Sequence, residues 1–188
     1  MNGERREDTD LMTAVSGGDQ HAFAVLVHRF RPSLQRFLAS LGEEPDSAED
    51  LAQETLTRLW VARERYEPSG KFTTYLFQIA RNCWLNALRS RKRHPGGEPA
   101  GDEDVELHIS PMWPWNPVFN AYRMREVRRA VASLPERQRE VFVLCHLQGF
   151  TCVETAQMLK IPVGTVKSRM SAAVHRLRGM LEHWSEPE

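Results

Sequence analysis

No stretch of this 188-residue chain approaches the ~20 consecutive apolar residues that span a bilayer. The N-terminus is polar and charged, unlike a secretory signal, so a soluble cytoplasmic protein is expected. Cysteine is scarce: Cys83, Cys145 and Cys152 are the only three. An odd count without a signal sequence points to a reducing compartment and excludes a disulfide scaffold. Paired C-x-x-C spacing is also missing. Cys145-His146 with Cys152 lacks a clear fourth ligand for a structural metal, so the thiols read as packed side chains. No strand alternation persists and no internal repeat is visible, which makes the class all-α. Net charge is absent too, since 25 Lys and Arg balance 25 Asp and Glu. Spread evenly, that balance would argue against a polyanionic partner. Chain length suits one large or two small domains.

The charge is not spread evenly. Glu43, Glu44, Asp46, Glu49, Asp50 and Glu54 form one acidic block, and Glu98, Asp102, Glu103, Asp104 and Glu106 another. Between them lies a basic run ending Arg89-Ser90-Arg91-Lys92-Arg93, and the last third is basic again. Alternating blocks imply two basic surfaces for polyanions and acidic surfaces for a different partner.

Periodicity and breakers divide the chain into three parts. In the first, residues 1–93, Asp19 is placed to cap a helix carrying Phe23, Leu26, Phe30, Leu34 and Phe37, which Pro32 should kink or break. Asp46 or Ser47 should cap a second helix running to about Tyr66, and Pro68-Ser69-Gly70 breaks the chain. A long helix from about Phe72 to Arg93 follows. Residues 94–120 carry scattered Pro and Gly among acidic residues and read as a flexible linker, with Trp113 and Trp115 unusual for such a place. The third part, residues 121–188, holds a helix through Leu134, another opened by Pro135 and stopped by Gly149, and a helix-turn-helix.

That helix-turn-helix is the most informative segment. Thr151 and Glu154 have the T-x-x-E spacing of a capping box, Lys160-Ile161-Pro162 ends the short helix, and Pro162 suits the start of a longer one. Val166, Met170, Val174, Leu177 and Leu181 then form one apolar stripe. At 100° per residue the opposite face carries Thr165, Ser168, Ala172, His175 and Arg176, flanked by Lys167, Arg169, Ser171 and Arg178. Hydroxyls and guanidiniums on one helix suit a major groove, with Arg176 a candidate base reader and Lys167, nearer the buried edge, a phosphate anchor.

On the helix from Asp46, the stripe Ala48, Leu51, Ala52, Thr55, Leu59, Ala62 and Tyr66 should be buried. Asp50, Gln53, Glu54 and Thr57 fall opposite, flanked by Leu56 and Trp60. Uncompensated carboxylates beside large apolar side chains fit docking against a basic protein helix, and a plain solvated acidic face fits as well. The helix from Phe72 should bury Phe72, Tyr75, Leu76, Ile79 and Cys83. Gln78, Arg81, Asn82, Arg89, Lys92 and Arg93 make a second, basic side about 20 Å long. With Ser69, Lys71 and Thr73 ahead of it, this stretch offers the phosphate neutralisation and hydrogen bonding that single-stranded DNA needs. Core burial is the competing reading for its aromatics.

Four segments resemble one family. Asp46 to Trp60 is similar to the polymerase-docking motif of bacterial RNA polymerase sigma factors. Phe72 to Asn82 resembles the promoter-melting, −10-reading helix of the extracytoplasmic-function (ECF) group. Leu134 to Phe142 and Pro162 to Arg169 resemble that group's −35-binding domain. Together they cover both domains in family order. Tyr75 stands where the family usually has Trp, and Ser171-Ala172-Ala173 is less basic than many recognition helices.

The resemblance implies two helical domains that bind core RNA polymerase and read promoter DNA at two elements, without a cofactor, a metal or catalysis. It assigns Asp50, Gln53, Glu54, Thr57 and Trp60 to the clamp helices of the largest polymerase subunit. Ser69, Lys71, Phe72, Thr73, Gln78, Arg81, Asn82, Arg89 and Lys92 would meet the −10 element, with Asn82 facing a flipped base. Thr165, Lys167, Ser168, Arg169, Ser171, His175 and Arg176 would meet the −35 duplex. It also implies a linker threading toward the RNA exit path and an anti-sigma factor as a further partner. A stand-alone helix-turn-helix regulator is the alternative, and it leaves the Asp46–Arg93 block unused. An enzyme has no support, because Asp50 and Glu54 lie on a convex helix face.

Overall fold

The structure is a computed structural model that describes residues 3–68, 70–93 and 121–181. All regular structure among them is helical: α1 Gly3–Ser16, α2 Gln20–Ser40, α3 Pro45–Val61, α4 Phe72–Arg93, α5 Ala121–Ala132, α6 Glu136–Phe142, α7 Cys152–Leu159 and α8 Val163–Met180. A 3₁₀ turn, Arg63–Arg65, follows α3, and a π-helical turn, Val143–Leu147, follows α6. The chain divides into two compact units, one built mainly on α1–α4 and the other on α5–α8. The sequence-predicted linker, with Trp113 and Trp115, lies outside the described residues.

In the first unit, Asp19 caps α2 as its sequence position suggests: Oδ1 accepts from the backbone N–H of His21 at 2.8 Å and of Ala22 at 3.0 Å. The helix then runs unbroken past Pro32. Pro32 is exposed, so the hydrogen bond its ring removes belongs to a carbonyl on the solvent side, where water substitutes. Ala22, Leu26, Phe30, Leu34, Phe37 and Leu38 face inward. Phe30 meets Phe72 edge-on at 5.3 Å and Phe37 meets Phe77 at 5.1 Å, which locks α2 onto α4.

α3 starts two or three residues earlier than the polar caps Asp46 and Ser47 suggest. Glu44 is the N-cap and Pro45 takes the first turn, where its missing N–H costs nothing. The polar N-terminal segment, for which the sequence offers no helical stripe, is helical. α1 buries Met12 and Val15 fully against the 63–65 turn and α4, and Asp8, only 8 % exposed, pairs with Arg29 of α2. Its few apolar residues leave little periodic signal, so tertiary burial rather than propensity holds it.

In the second unit α8 packs against α6 and α7. The capping box at α7 is complete: the Glu154 N–H donates to Thr151 Oγ1 at 3.2 Å, and the Thr151 N–H donates to Glu154 Oε2 at 2.8 Å. Lys160 closes α7 in the left-handed region at φ 53°, and the Ile161 N–H reaches back to the Ala156 carbonyl at 3.1 Å. Gly149, at φ 74°, turns the chain from the π-helical turn into α7.

Candidate protein- and nucleic-acid-binding surfaces

Asp50, Gln53, Glu54 and Thr57 are all exposed on α3, as their spacing requires. The borders of this face differ from those predicted. Leu56 is buried and belongs to the core, whereas Leu51 is only half-buried. Trp60 is half-buried, with its ring 4.9 Å from Phe23 and the Arg63 guanidinium 4.3 Å above it. Glu54 is not uncompensated either, because it accepts from Arg58 Nε at 2.6 Å one turn on. That hydrogen bond is the main reason the Arg58 pKa is raised. Asp50 has no such pairing among the described residues. Sequence reasoning missed Val61, 74 % exposed, which lies four residues beyond Thr57 and eight beyond Gln53 on the same face. The same 100° count that grouped the polar residues contains it. The result is an exposed row of Asp50, Gln53, Thr57 and Val61 that combines negative charge, an amide and a bare apolar side chain.

On α4, Asn82, Arg89 and Arg93 are exposed and share one line with half-buried Gln78, as predicted. Asn86 joins them, its Oδ1 accepting from Arg89 Nη1 at 3.5 Å. Arg81, Lys71 and Thr73 are half-buried. Arg91 leaves the line and donates to Ser47 Oγ of α3 at 2.8 Å. Phe72 is buried, as its helix face predicts: at 2 % exposure, edge-on to Phe30, it is a core residue, which corrects the −10 contact that the resemblance implies for its ring. Tyr75 and Ile79, predicted buried, are half-buried, and Phe77, Ala80 and Trp84 fill the core instead. Tyr75 packs at a tilt against Tyr66, ring centroids 5.2 Å apart, and burial pushes both phenols above their ordinary pKa. Ser69 and the side chain of Lys92 lie outside the described residues.

α8 is turned relative to its predicted face. Val174, assigned to the apolar stripe, is 38 % exposed, while Ala173 beside it is fully buried with Val166 and Leu177. Met170 is half-buried. The fully outward row is therefore Lys167, Ser171, His175 and Arg178, with Ser168 beside it. Thr165, Arg169 and Ala172 are half-buried on one margin, next to exposed Arg176. Lys167 is thus fully exposed at one end of the outward row. α8 carries five basic or imidazole side chains and no acid, a local excess of positive charge.

Among the described residues no group of three His, Cys, Asp or Glu is arranged to hold a metal. No helix among them is long and apolar enough to cross a membrane.

Residues 26–94 match the Sigma-70 region 2 family and residues 124–177 match Sigma-70, region 4. The chain is 32% identical to the ECF RNA polymerase sigma factor RpoE of Cereibacter sphaeroides, over 93% of this chain and 95% of that protein. It is 29% identical to the ECF RNA polymerase sigma factor SigW of Bacillus subtilis, over 89% of this chain and 92% of the relative. Among solved structures it is similar to the sigma factor RpoE from Bartonella quintana, crystallised with the anti-sigma factor NepR. The TM-score there is 0.70 at 29% identity, covering 85% of this chain and 96% of that one. With its region 2 and region 4 domains in order, the chain belongs to the ECF group of sigma factors, non-enzymatic proteins that direct RNA polymerase to begin transcription at specific promoters.

Proposed function

We propose that the three surfaces divide the work of initiation. The α3 row Asp50, Gln53, Glu54 and Thr57, extended by Val61, docks on the clamp helices of the largest polymerase subunit. Trp60 supports that row from the half-buried side rather than forming its outer edge. The observation that carries this assignment is Val61, 74 % exposed at the end of the row that holds Asp50, Gln53 and Thr57, since a bare apolar side chain gains nothing from water. Gln78, Arg81, Asn82, Arg89 and Lys92 of α4, with the Ser69–Thr73 loop, receive the −10 strand, and Asn82 faces a flipped base. Phe72 acts only as the anchor of that loop. On α8, Lys167, Ser168, Ser171 and His175 face the −35 base edges, while Arg169 and Arg176 hold phosphates from the margin and Thr165 lines the entry.

The test of the docking surface is co-purification of Asp50→Ala/Gln53→Ala with core polymerase. Loss of binding at unchanged helix content is expected, and retained binding removes α3 from the docking role.

An anti-sigma factor is proposed as a second partner, in the cytoplasm. The support is that the related RpoE from Bartonella quintana is crystallised with one. An anti-sigma factor would compete with core polymerase for the α3 face, so a protein encoded beside this gene should block co-purification and fail to bind the double variant.

A further inference from the structure

Two of the three cysteines stand on either side of the turn that opens the helix-turn-helix. Cys145 lies in the π-helical turn and Cys152 is the first residue of α7. Gly149 reverses the chain between them, and the Phe150 N–H closes the turn onto the Leu144 carbonyl at 3.1 Å. Cys145 Sγ touches Thr155 Oγ1 at 3.2 Å, and Thr155 sits one helical turn beyond Cys152 on the same side of α7. Both thiols are half-buried, so small solutes reach them, whereas Cys83 is buried in the other unit.

We propose that Cys145 and Cys152 form a dithiol site that exchanges with a low-molecular-weight disulfide and closes to an intramolecular disulfide. One thiolate attacks a sulfur of the incoming disulfide, forms a mixed disulfide and expels one thiol. The second cysteine then attacks the protein sulfur, releases the other thiol and completes the bond. Two protein thiols are oxidised, and one small disulfide is reduced to two thiols. Burial pushes the Cys145 thiol up, and charge and hydrogen-bond coupling to Cys152 add to this against the Thr155 hydrogen bond. Either thiol can open the incoming disulfide, and the other resolves it.

Closure has a structural consequence. It draws Cys145 Sγ away from Thr155 Oγ1, and the Thr155 hydroxyl is fully buried. An unpaired hydroxyl there is costly, so α7 must adjust, and α8 packs directly on α7. Oxidation is expected to disturb the α8 face.

The test uses the full reduced chain incubated with oxidised glutathione, then alkylated in denaturant and digested with trypsin. The peptide from Glu140 to Lys160 contains both cysteines and no internal trypsin site. It is expected to become two hydrogens lighter and to resist alkylation, while Cys83 alkylates as a free thiol. Cys145→Ser should stop at a glutathione adduct on Cys152. Full alkylation of that peptide, or a stable glutathione adduct in the unsubstituted chain, overturns the site. A −35 duplex should bind the oxidised chain several-fold more weakly, with recovery on reduction. This second readout rests on the proposed role of α8 and the peptide mass does not, so unchanged binding with a lighter peptide overturns the coupling alone.

Discussion

Ala173 has no exposed surface, while its neighbour Val174 keeps 38 % of its own. One step along the helix turns the side chain by 100°, and this pair sets which face of α8 meets the core. The smaller residue takes the inward position on a helix that packs against α6 and α7. Ala173→Leu should therefore overpack the unit and cost about 1–3 kcal/mol, whereas Val174→Ser should change stability by less than about 0.5 kcal/mol. Urea unfolding of the two variants checks this, and equal effects would restore the predicted stripe.

The same rotation alters the roles of the cations on α8. Lys167 lies in the N-terminal half of the helix on the outward row, where recognition helices reach bases, and Arg176 lies at the margin. Lys167→Ala should change which −35 sequence is preferred, by about 1–3 kcal/mol at the affected base pair. Arg176→Ala should weaken all sequences alike and lower the salt-dependence slope by about 1. Titrations of promoter variants at several salt concentrations separate these, and the reverse pattern would return Arg176 to the base-reading role.

Val61 tests the docking surface from its apolar end. Val61→Asp removes no buried contact, so thermal unfolding should be nearly unchanged. Core polymerase binding should nevertheless fall by tenfold or more, since the charge would have to be desolvated in the interface at about 1.4 kcal/mol per tenfold. A shift in unfolding temperature with intact polymerase binding would make Val61 a folding residue instead.

Lys160 occupies the left-handed region at the end of α7, and its side chain is exposed. Glycine adopts that conformation without the Cβ penalty, so Lys160→Gly should stabilise the unit by up to about 1 kcal/mol. Gly149→Ala, at φ 74° in the other turn, should destabilise by a comparable amount. Chemical denaturation of both variants gives the sign directly.

Phe72 provides a check on core against contact. Phe72→Ala should destabilise the first unit by about 3–5 kcal/mol, because it leaves a cavity beneath Phe30 and Tyr66. Asn82→Ala should leave stability unchanged and impair promoter opening with core enzyme, read by permanganate reactivity of the −10 strand. Normal opening by the Asn82 variant would remove its amide from contact with the flipped base.

What the amino-acid sequence determined by itself is local. The Asp19 cap, the Thr151–Glu154 capping box, the Gly149 and Lys160 turns and the 3.6-residue periodicity each act within a few residues, so helix identity and the two-domain order could be read without coordinates. Exposure of Asp50, Gln53, Glu54, Asn82 and His175 followed from the same period. Tertiary packing decided which margin of each face is buried: Leu56 inside and Val61 outside, Ala173 inside and Val174 outside. Apolar residues at the edge of a stripe have nearly equal claims to burial by angle, and only the distance to the neighbouring helix selects between them. The same reason explains α1 and Pro32. A weakly apolar segment becomes a helix when Met12 and Val15 find a surface to cover, and a proline is tolerated mid-helix when its lost hydrogen bond faces water.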